Sequence, residues 1–415
     1  MQKEDPSQSL RPFFTIWASQ AFSLLGSQLV QFAIVWYLAK TTGSATMLAM
    51  ATLAALLPQI LIGPFAGALV DRWNRRQVML VVDASIAAAT LLLAGLFWMN
   101  LAQVWLIYLL LLVRATGAAF HWPAMTASTT MMVPQKHLAR VAGLNQTLSG
   151  FATIFIPPIG ALAIETLSMQ GVLAIDVATA IPAIVSLLFI PIPQPAHAAT
   201  TRESSLLSSL WADMREGWRF IWNWKAFMVL MVIAIMINLL GRAAASLSPL
   251  MVLEHFGGGA LELGWWQSAI GIGSVLGGVT LGIWGGFKRK VVTQNVALFL
   301  DGLAIIAITM TPKTSFAVVV ALIFVVAFLE TIAIGLGGAL GQILIPPEMQ
   351  GRVFGLVMSL SLALSPLGLL VAGPVADAFG VQFWWVLTGL MISGMGALAL
   401  AIPAVVRIED TKRQV

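Results

Sequence analysis

The chain contains no cysteine and only four histidines, His121, His137, His197 and His255. A disulfide framework and a thiolate metal site are therefore excluded, and the histidines lack metal-ligand spacing, so no metal is expected. Charge is scarce as well: Asp, Glu, Lys and Arg make up 9% of 415 residues. No glycine-rich phosphate loop of the Walker type is present, which excludes an ATP-driven pump, and no nucleophile–base constellation points to an enzyme. No cofactor is expected. No loop is long enough for an extramembrane partner domain, so a receptor or scaffold has support only by default. The polar opening MQKEDPSQSLRP does not read as a cleavable leader.

What the chain has in abundance is apolar sequence. It is 59% hydrophobic with a mean hydropathy of +0.92, against roughly 45–50% apolar in soluble domains. A soluble core cannot hide that many continuous runs, so the solvent is lipid. Stretches of about 20 apolar residues span a bilayer as helices. Twelve are read, at 13–39, 45–70, 77–98, 102–126, 141–166, 171–192, 226–252, 262–286, 290–311, 314–340, 351–376 and 381–406. Short connections make neighbours antiparallel. The one long connection, 193–225, divides the chain into a six-helix bundle (1–192), a linker and a second six-helix bundle (226–415). In the linker Leu206, Leu207, Leu210, Trp211, Met214, Trp218, Ile221 and Trp222 recur at helical spacing opposite Asp213, Arg215, Glu216 and Arg219. That pattern predicts an amphipathic helix at the membrane surface, a spacer between the halves.

Basic residues orient the spans. With both termini in the cytoplasm, 18 of the 22 Lys and Arg fall on the inner side. Only Lys40 and Lys313 lie in outer loops, and Arg114 and Arg242 lie within spans. The net charge of +5 then reflects topology, and no nucleic-acid partner is expected.

The loop between the second and third spans reads Gly63-Pro64-Phe65-Ala66-Gly67-Ala68-Leu69-Val70-Asp71-Arg72-Trp73-Asn74-Arg75-Arg76. Gly63 and Gly67, four apart, suit close helix packing in a membrane, and dense charge beyond them marks the membrane surface. The segment resembles the signature loop of the major facilitator superfamily of secondary transporters, G-x-x-x-D-R-x-G-R-R, with Asn74 where a glycine is usual. The resemblance implies an all-α membrane protein of twelve transmembrane helices in two pseudo-symmetric six-helix bundles. It also implies that Asp71 docks helix 11 and pairs with nearby arginines, so that Gly63, Gly67, Asp71, Arg72, Arg75 and Arg76 form a conformational switch. Headgroup anchoring is the alternative reading.

An internal repeat supports the same architecture. Val133-Pro134 followed by Arg140-Val141-Ala142-Gly143-Leu144 recurs 212 residues later as Ile345-Pro346 followed by Arg352-Val353-Phe354-Gly355-Leu356. Parallel repeats of six helices build such transporters, and Arg140 and Arg352 are candidate docking residues. Gly273, Gly277 and Gly278 before Lys288, Arg289 and Lys290 echo the first loop without its acid.

Ionisable residues inside lipid are functional candidates by default. Arg114 lies mid-span and matches an arginine that many proton-coupled drug exporters carry in helix 4. An arginine keeps its proton, so it would tune an acid, bind an anion, or bridge to Gln20, Gln28 or Gln31 of helix 1. Glu330, in helix 10, and Asp301, in helix 9, are candidate proton carriers. Asp301 alternatively pairs with a polar group of helix 8 or 10. Asn238 and Arg242, one turn apart on helix 7, are expected to face the cavity, with Arg242 a possible counterion of Glu330. Asp83, early in helix 3, is read as joining the loop arginines. Gly150 with Ile156-Pro157-Pro158-Ile159-Gly160-Ala161 partly matches the exporter motif of helix 5, making Pro158 and Gly160 candidate hinges.

The opening helix together with the first loop is similar to the macrolide-efflux and siderophore-export branch of the superfamily. That implies export of a hydrophobic or amphipathic small molecule by proton antiport, from a monomer in the bacterial cytoplasmic membrane. Fifteen Trp, 21 Phe and 19 Met suit adaptable contact with bulky compounds, although interfacial belts would absorb many tryptophans. A lipid or lysolipid translocase on the same fold is the alternative.

Overall fold

The computed structural model describes residues 10–194, 215–216 and 218–410. Among them are twelve helices long and apolar enough to cross a membrane. The first six are α1 (Arg11–Thr42), α2 (Ala45–Arg72), α3 (Arg75–Trp98), α4 (Val104–Met132), α5 (Gln135–Thr166) and α6 (Met169–Phe189). The second six are α7 (Lys225–Ser246), α8 (Ala260–Trp284), α9 (Lys290–Met310), α10 (Phe316–Leu344), α11 (Pro347–Phe379) and α12 (Val381–Ala401). Most of the amphipathic stretch expected in the linker lies outside the described residues. Its described end, 218–223, is helical, with Ile221 buried and Trp218 and Trp222 exposed.

Helix boundaries follow local chemistry. Asn74, in the place where the loop pattern has glycine, caps α3 by accepting from the Gln77 backbone N–H at 3.2 Å, as N-cap amides do. Gly43 turns the chain between α1 and α2 at φ +57, a left-handed conformation that glycine adopts without strain. The seventh span ends at Ser246, earlier than the expected 252. Pro249 lies just beyond it, in the short helix Ser248–Leu250, and one π-helical turn, Met251–His255, follows. A proline supplies no N–H to the turn before it, so the helix is interrupted there. Prolines inside α2, α5 and α11 leave those helices continuous.

The chain forms two compact units, Met1–Leu38 with Ala51–Ala198, and Ala39–Met50 with Ala199–Val415. In the first, Ile16, Val70, Met79, Ala124 and Leu187 bring α1, α2, α3, α4 and α6 into one core cluster. Polar stitching accompanies it: the Ser19 and Ser186 hydroxyls are 2.8 Å apart. In the second unit α9 is enclosed by α10 and α12, and a Cβ on Gly302 would lie 2.5 Å from the Gly389 carbonyl. The large exposed side chains are those lipid tolerates, Ile283 at 85% and Phe189 at 80% among them.

The glycine pairs divide unexpectedly. A Cβ on Gly63 or Gly67 would meet nothing within 4 Å. Among the described residues, then, neither glycine shows the close packing its spacing suggests. The echo in the second unit is the pair that packs: a Cβ on Gly273 would lie 2.5 Å from the Phe324 carbonyl, and one on Gly277 2.7 Å from that of Phe328. There α8 and α10 touch backbone to backbone.

A second device escaped the sequence reading. Asp377, near the end of α11, accepts from the Ala45 N–H at 2.6 Å, the Thr46 N–H at 3.1 Å and the Ser44 hydroxyl at 3.1 Å. A carboxylate from a distant helix thus satisfies the orphan donors that open α2.

Candidate functional site: a polar cavity in the first unit

One face of α1 is polar at helical spacing. Gln20, Ser23, Ser27 and Gln31 fall at steps of three and four residues, with Gln28 next to Ser27, and such spacing aligns along one side of a helix. They line a cavity of about 440 Å³. Opposite, α4 supplies Leu111, Arg114, Ala115, Ala118, His121 and Trp122, again at steps of one to four residues. Gln59 of α2 and Asp83 and Ile86 of α3 complete the wall. The lining mixes apolar surface with uncharged hydrogen-bonding groups and only three ionisable side chains.

Asp83 does not join the loop arginines as expected. It is 8% exposed and takes a hydrogen bond from the Gln20 amide at 2.7 Å. Its other oxygen lies 3.4 Å from His121 Nε2, an ion-pair distance without hydrogen-bond geometry, and the imidazole is charged only when protonated. The two residues face each other across α3 and α4. The sequence signal for His121 is its place seven residues, two turns, beyond Arg114.

Arg114 reaches the cavity but is already engaged. Its Nη1 donates to Asp176 of α6 at 2.5 Å and its Nη2 to the Ser27 carbonyl at 3.0 Å. Asp176, 2% exposed, also accepts from the Ser27 hydroxyl at 2.8 Å and the Thr90 hydroxyl at 3.1 Å. The expected bridge to the glutamines of helix 1 is thus replaced by a bridge to α6 and to the backbone of α1. The polar side chains of α1 left Arg114 to a carboxylate because a buried guanidinium needs a countercharge, not merely a dipole. Asp176 went unread in the sequence, where its partner is 62 positions away.

The loop motif behaves partly as expected. Arg75 pairs with Asp71 at 3.3 Å, and the arginine is 9% exposed while the acid is 70% exposed. Arg75 also donates to the Ala127 carbonyl at 3.2 Å, and Arg76 holds the Leu187 and Leu188 carbonyls, both at 2.5 Å. These arginines therefore close the ends of α4 and α6 as well as facing the surface, and Arg72 is exposed beside them. Arg140 is exposed, and Arg352 pairs with Glu216 of the linker at 2.7 Å.

In the second unit Asp301 is 2% exposed and Glu330 is half-buried. The two are within electrostatic reach of each other, and Asp301 Oδ1 accepts no hydrogen bond among the described residues. Both groups are acids, so this proximity is not the stabilising polar pair that was the alternative reading of Asp301. The expected Arg242 counterion is not found: Arg242 is exposed, and no ion pair joins it to Glu330 among the described residues. Asn238 bonds back to the Ala234 carbonyl of its own helix at 3.0 Å, which satisfies the amide locally. Pro158 lies within an unbroken α5, and a Cβ on Gly160 would sit 2.9 Å from the Phe32 ring, so Gly160 serves close contact with α1.

Comparison with known proteins fixes what this architecture belongs to. The family model described as Major Facilitator Superfamily matches residues 16–366. The chain belongs to the major facilitator superfamily. Macrolide efflux protein A of Streptococcus pyogenes is 32% identical over 381 residues, covering 92% of this chain and 93% of that one. Multidrug efflux pump Tap of Mycobacterium tuberculosis is 28% identical over 402 residues, covering 95% and 94%. Among solved structures, a bacterial homolog of the human lysosomal transporter Spinster aligns with a TM-score of 0.69 at 14% identity, covering 98% of both chains. This superfamily member is an integral membrane transporter of the twelve-helix facilitator fold, not an enzyme.

Proposed function

We propose that this transporter exports hydrophobic or amphipathic small molecules, macrolide-like drugs or siderophore-like metabolites, by proton antiport and alternating access. It would work as a monomer in the bacterial cytoplasmic membrane with both termini in the cytoplasm. The observation that carries the reading is the cavity between α1 and α4, in which a wall of mixed apolar and hydrogen-bonding groups holds a single carboxylate–imidazole pair, Asp83 and His121. Apolar surface with a few directed polar groups suits a bulky ligand, and a buried acid able to take up a proton or face a ligand charge is what exchange requires. Gln20, Gln28 and Gln31 offer hydrogen bonds to the ligand. In the second unit, Asn238 and Arg242 of α7 are the residues proposed to meet the ligand.

Arg114 keeps its charge and tunes the acid beside it, while Glu330 and Asp301 form a second acidic locus for protons. The Asp71–Arg75 pair, with Gly63, Gly67, Arg72, Arg76, Arg140 and Arg352, forms the switch that biases the alternating states. Charge-assisted bonds of about 1.5–3 kcal/mol are comparable to the few kcal/mol that separate such states. Pro158 and Gly160 are the hinge positions of α5.

The test is efflux from proteoliposomes under an imposed pH gradient, comparing wild type with Asp83→Asn and Glu330→Gln. Gradient-driven efflux in wild type, with coupling lost in Asp83→Asn while ligand still binds, is the expected result. Loss only in Glu330→Gln moves the proton site to the second unit. Transport that ignores the gradient in all three proteins overturns antiport. A lipid or lysolipid translocase then becomes the better account.

A further inference from the structure

The cavity holds three ionisable side chains, but its charge is not theirs alone to set. Arg114 contributes a permanent positive charge to the wall. Behind it, out of the cavity and 2% exposed, Asp176 lies 2.5 Å from the guanidinium and is held there by the Ser27 and Thr90 hydroxyls. A fully paired buried charge presents almost no net field at a distance, because the two opposite charges fall off together.

Asp83 and His121 remain. With the imidazole neutral the wall carries one negative charge; with it protonated the wall is neutral. With Asp83 ionised, neither state makes the cavity positive. Without the Asp176 charge each state moves up by one, to neutral or to positive.

We propose that Asp176, which lies behind the cavity wall, decides the sign of charge the cavity accepts: by offsetting Arg114 it selects lipophilic cations such as protonated amines over lipophilic anions. Asp176 is a positioning residue that acts through Arg114. This rests on the cavity being where the transported molecule binds.

The experiment uses two ions of nearly the same shape and opposite charge, tetraphenylphosphonium and tetraphenylborate, binding to the purified full-length protein in nanodiscs at one fixed pH. Wild type is expected to bind the cation more tightly. In Asp176→Asn, which keeps the side-chain shape and an oxygen that accepts from one of the two hydroxyls, the cation should weaken and the anion should tighten. The ratio of the two affinities should shift by about tenfold or more, as one uncompensated charge within several ångströms requires. Loosening of the fold would move both ions in the same direction, and that result overturns the proposal.

A paired variant, Arg114→Gln with Asp176→Asn, guards against a single variant that does not fold. It removes both charges together, so the preference for the cation should survive in it. Reversal of the preference in the paired variant overturns the proposal. Ala118→Trp, which fills the cavity, separates this inference from the reading it rests on. If it leaves both ions bound as before, the cavity is not the binding place, and the functional proposal fails together with this one.

Discussion

The Arg114–Asp176 pair is a buried ion pair of the first unit that is costly to break, and a double-mutant cycle measures it. Both side chains are nearly inaccessible, at 11% and 2%, and the acid is fully bonded, to Ser27, Thr90 and Arg114. Removing one partner of a buried pair leaves an uncompensated charge and costs about 3–5 kcal/mol. Replacing both with apolar residues of similar size is often close to neutral, because the desolvation cost of both ions disappears with them. Arg114→Met alone and Asp176→Leu alone should therefore each lower the thermal midpoint strongly. With roughly 2–4 °C per kcal/mol for a unit of this size, the expected fall is about 6–20 °C. The double variant should recover most of that loss, leaving a coupling energy of about 2 kcal/mol or more. Thermal unfolding of detergent-purified protein, followed by intrinsic tryptophan fluorescence, reads all four corners of the cycle. Additive losses in the double variant would refute the reasoning, since they would mean that the two charges do not stabilise one another.

The other expectations are these. Gly63→Ala and Gly67→Ala should leave elution profile and midpoint almost unchanged, within roughly 1 kcal/mol, whereas Gly277→Leu should prevent a monodisperse product because its side chain would run into the Phe328 carbonyl. Burial, and then the like charge of Asp377, push the Glu254 carboxyl above its ordinary range. A raised value means that the folded state favours the neutral acid. Its contribution is then complete below the unfolded value of about 4.3 and is lost as pH rises through the folded one. Glu254→Gln should accordingly raise the midpoint near neutral pH and leave it unchanged near pH of about 4; a uniform shift at every pH would contradict the assignment. The Arg352–Glu216 pair is exposed at 37% and 56%, so Arg352→Ala should cost no more than about 1 kcal/mol, and a larger fall in midpoint would show that the arginine does more than this contact. Asp301→Asn removes one of two neighbouring acids and should raise or preserve the midpoint; a clear fall would reveal a cationic partner for Asp301.

The architecture was legible because lipid imposes it. Runs of apolar residues, the asymmetry of Lys and Arg and the repeat at Arg140 and Arg352 are properties of the chain alone, and the twelve helices follow them. The places where reading failed are of one kind. Glycine spacing at 63 and 67 predicts that a helix can be approached closely, but whether another helix comes is decided elsewhere. Gly273 and Gly277 have the same spacing and are the pair that α10 meets. Asp377 capping α2 joins positions more than 300 apart, and no local pattern announces a cap donated by another helix. The stripe on α1, by contrast, lies along one helix face and could be read, and so could His121 at two turns from Arg114.

The charged residues show the limit most clearly. In water a charge can be left alone, so its position in the sequence carries little information about a partner. In lipid each must find one, and the count of membrane-embedded charges becomes a constraint on the fold. The first unit satisfies that constraint twice, with Arg114 against Asp176 and His121 against Asp83. The second does not: Asp301 and Glu330 are both acids, and the base expected to serve them, Arg242, is exposed. Among the described residues the first unit carries countercharges for Arg114 and Asp83 in its own helices, whereas no ion pair joins a base to Asp301 or Glu330. That difference supports the proposal that Glu330 and Asp301 take part in proton coupling beside Asp83 and His121.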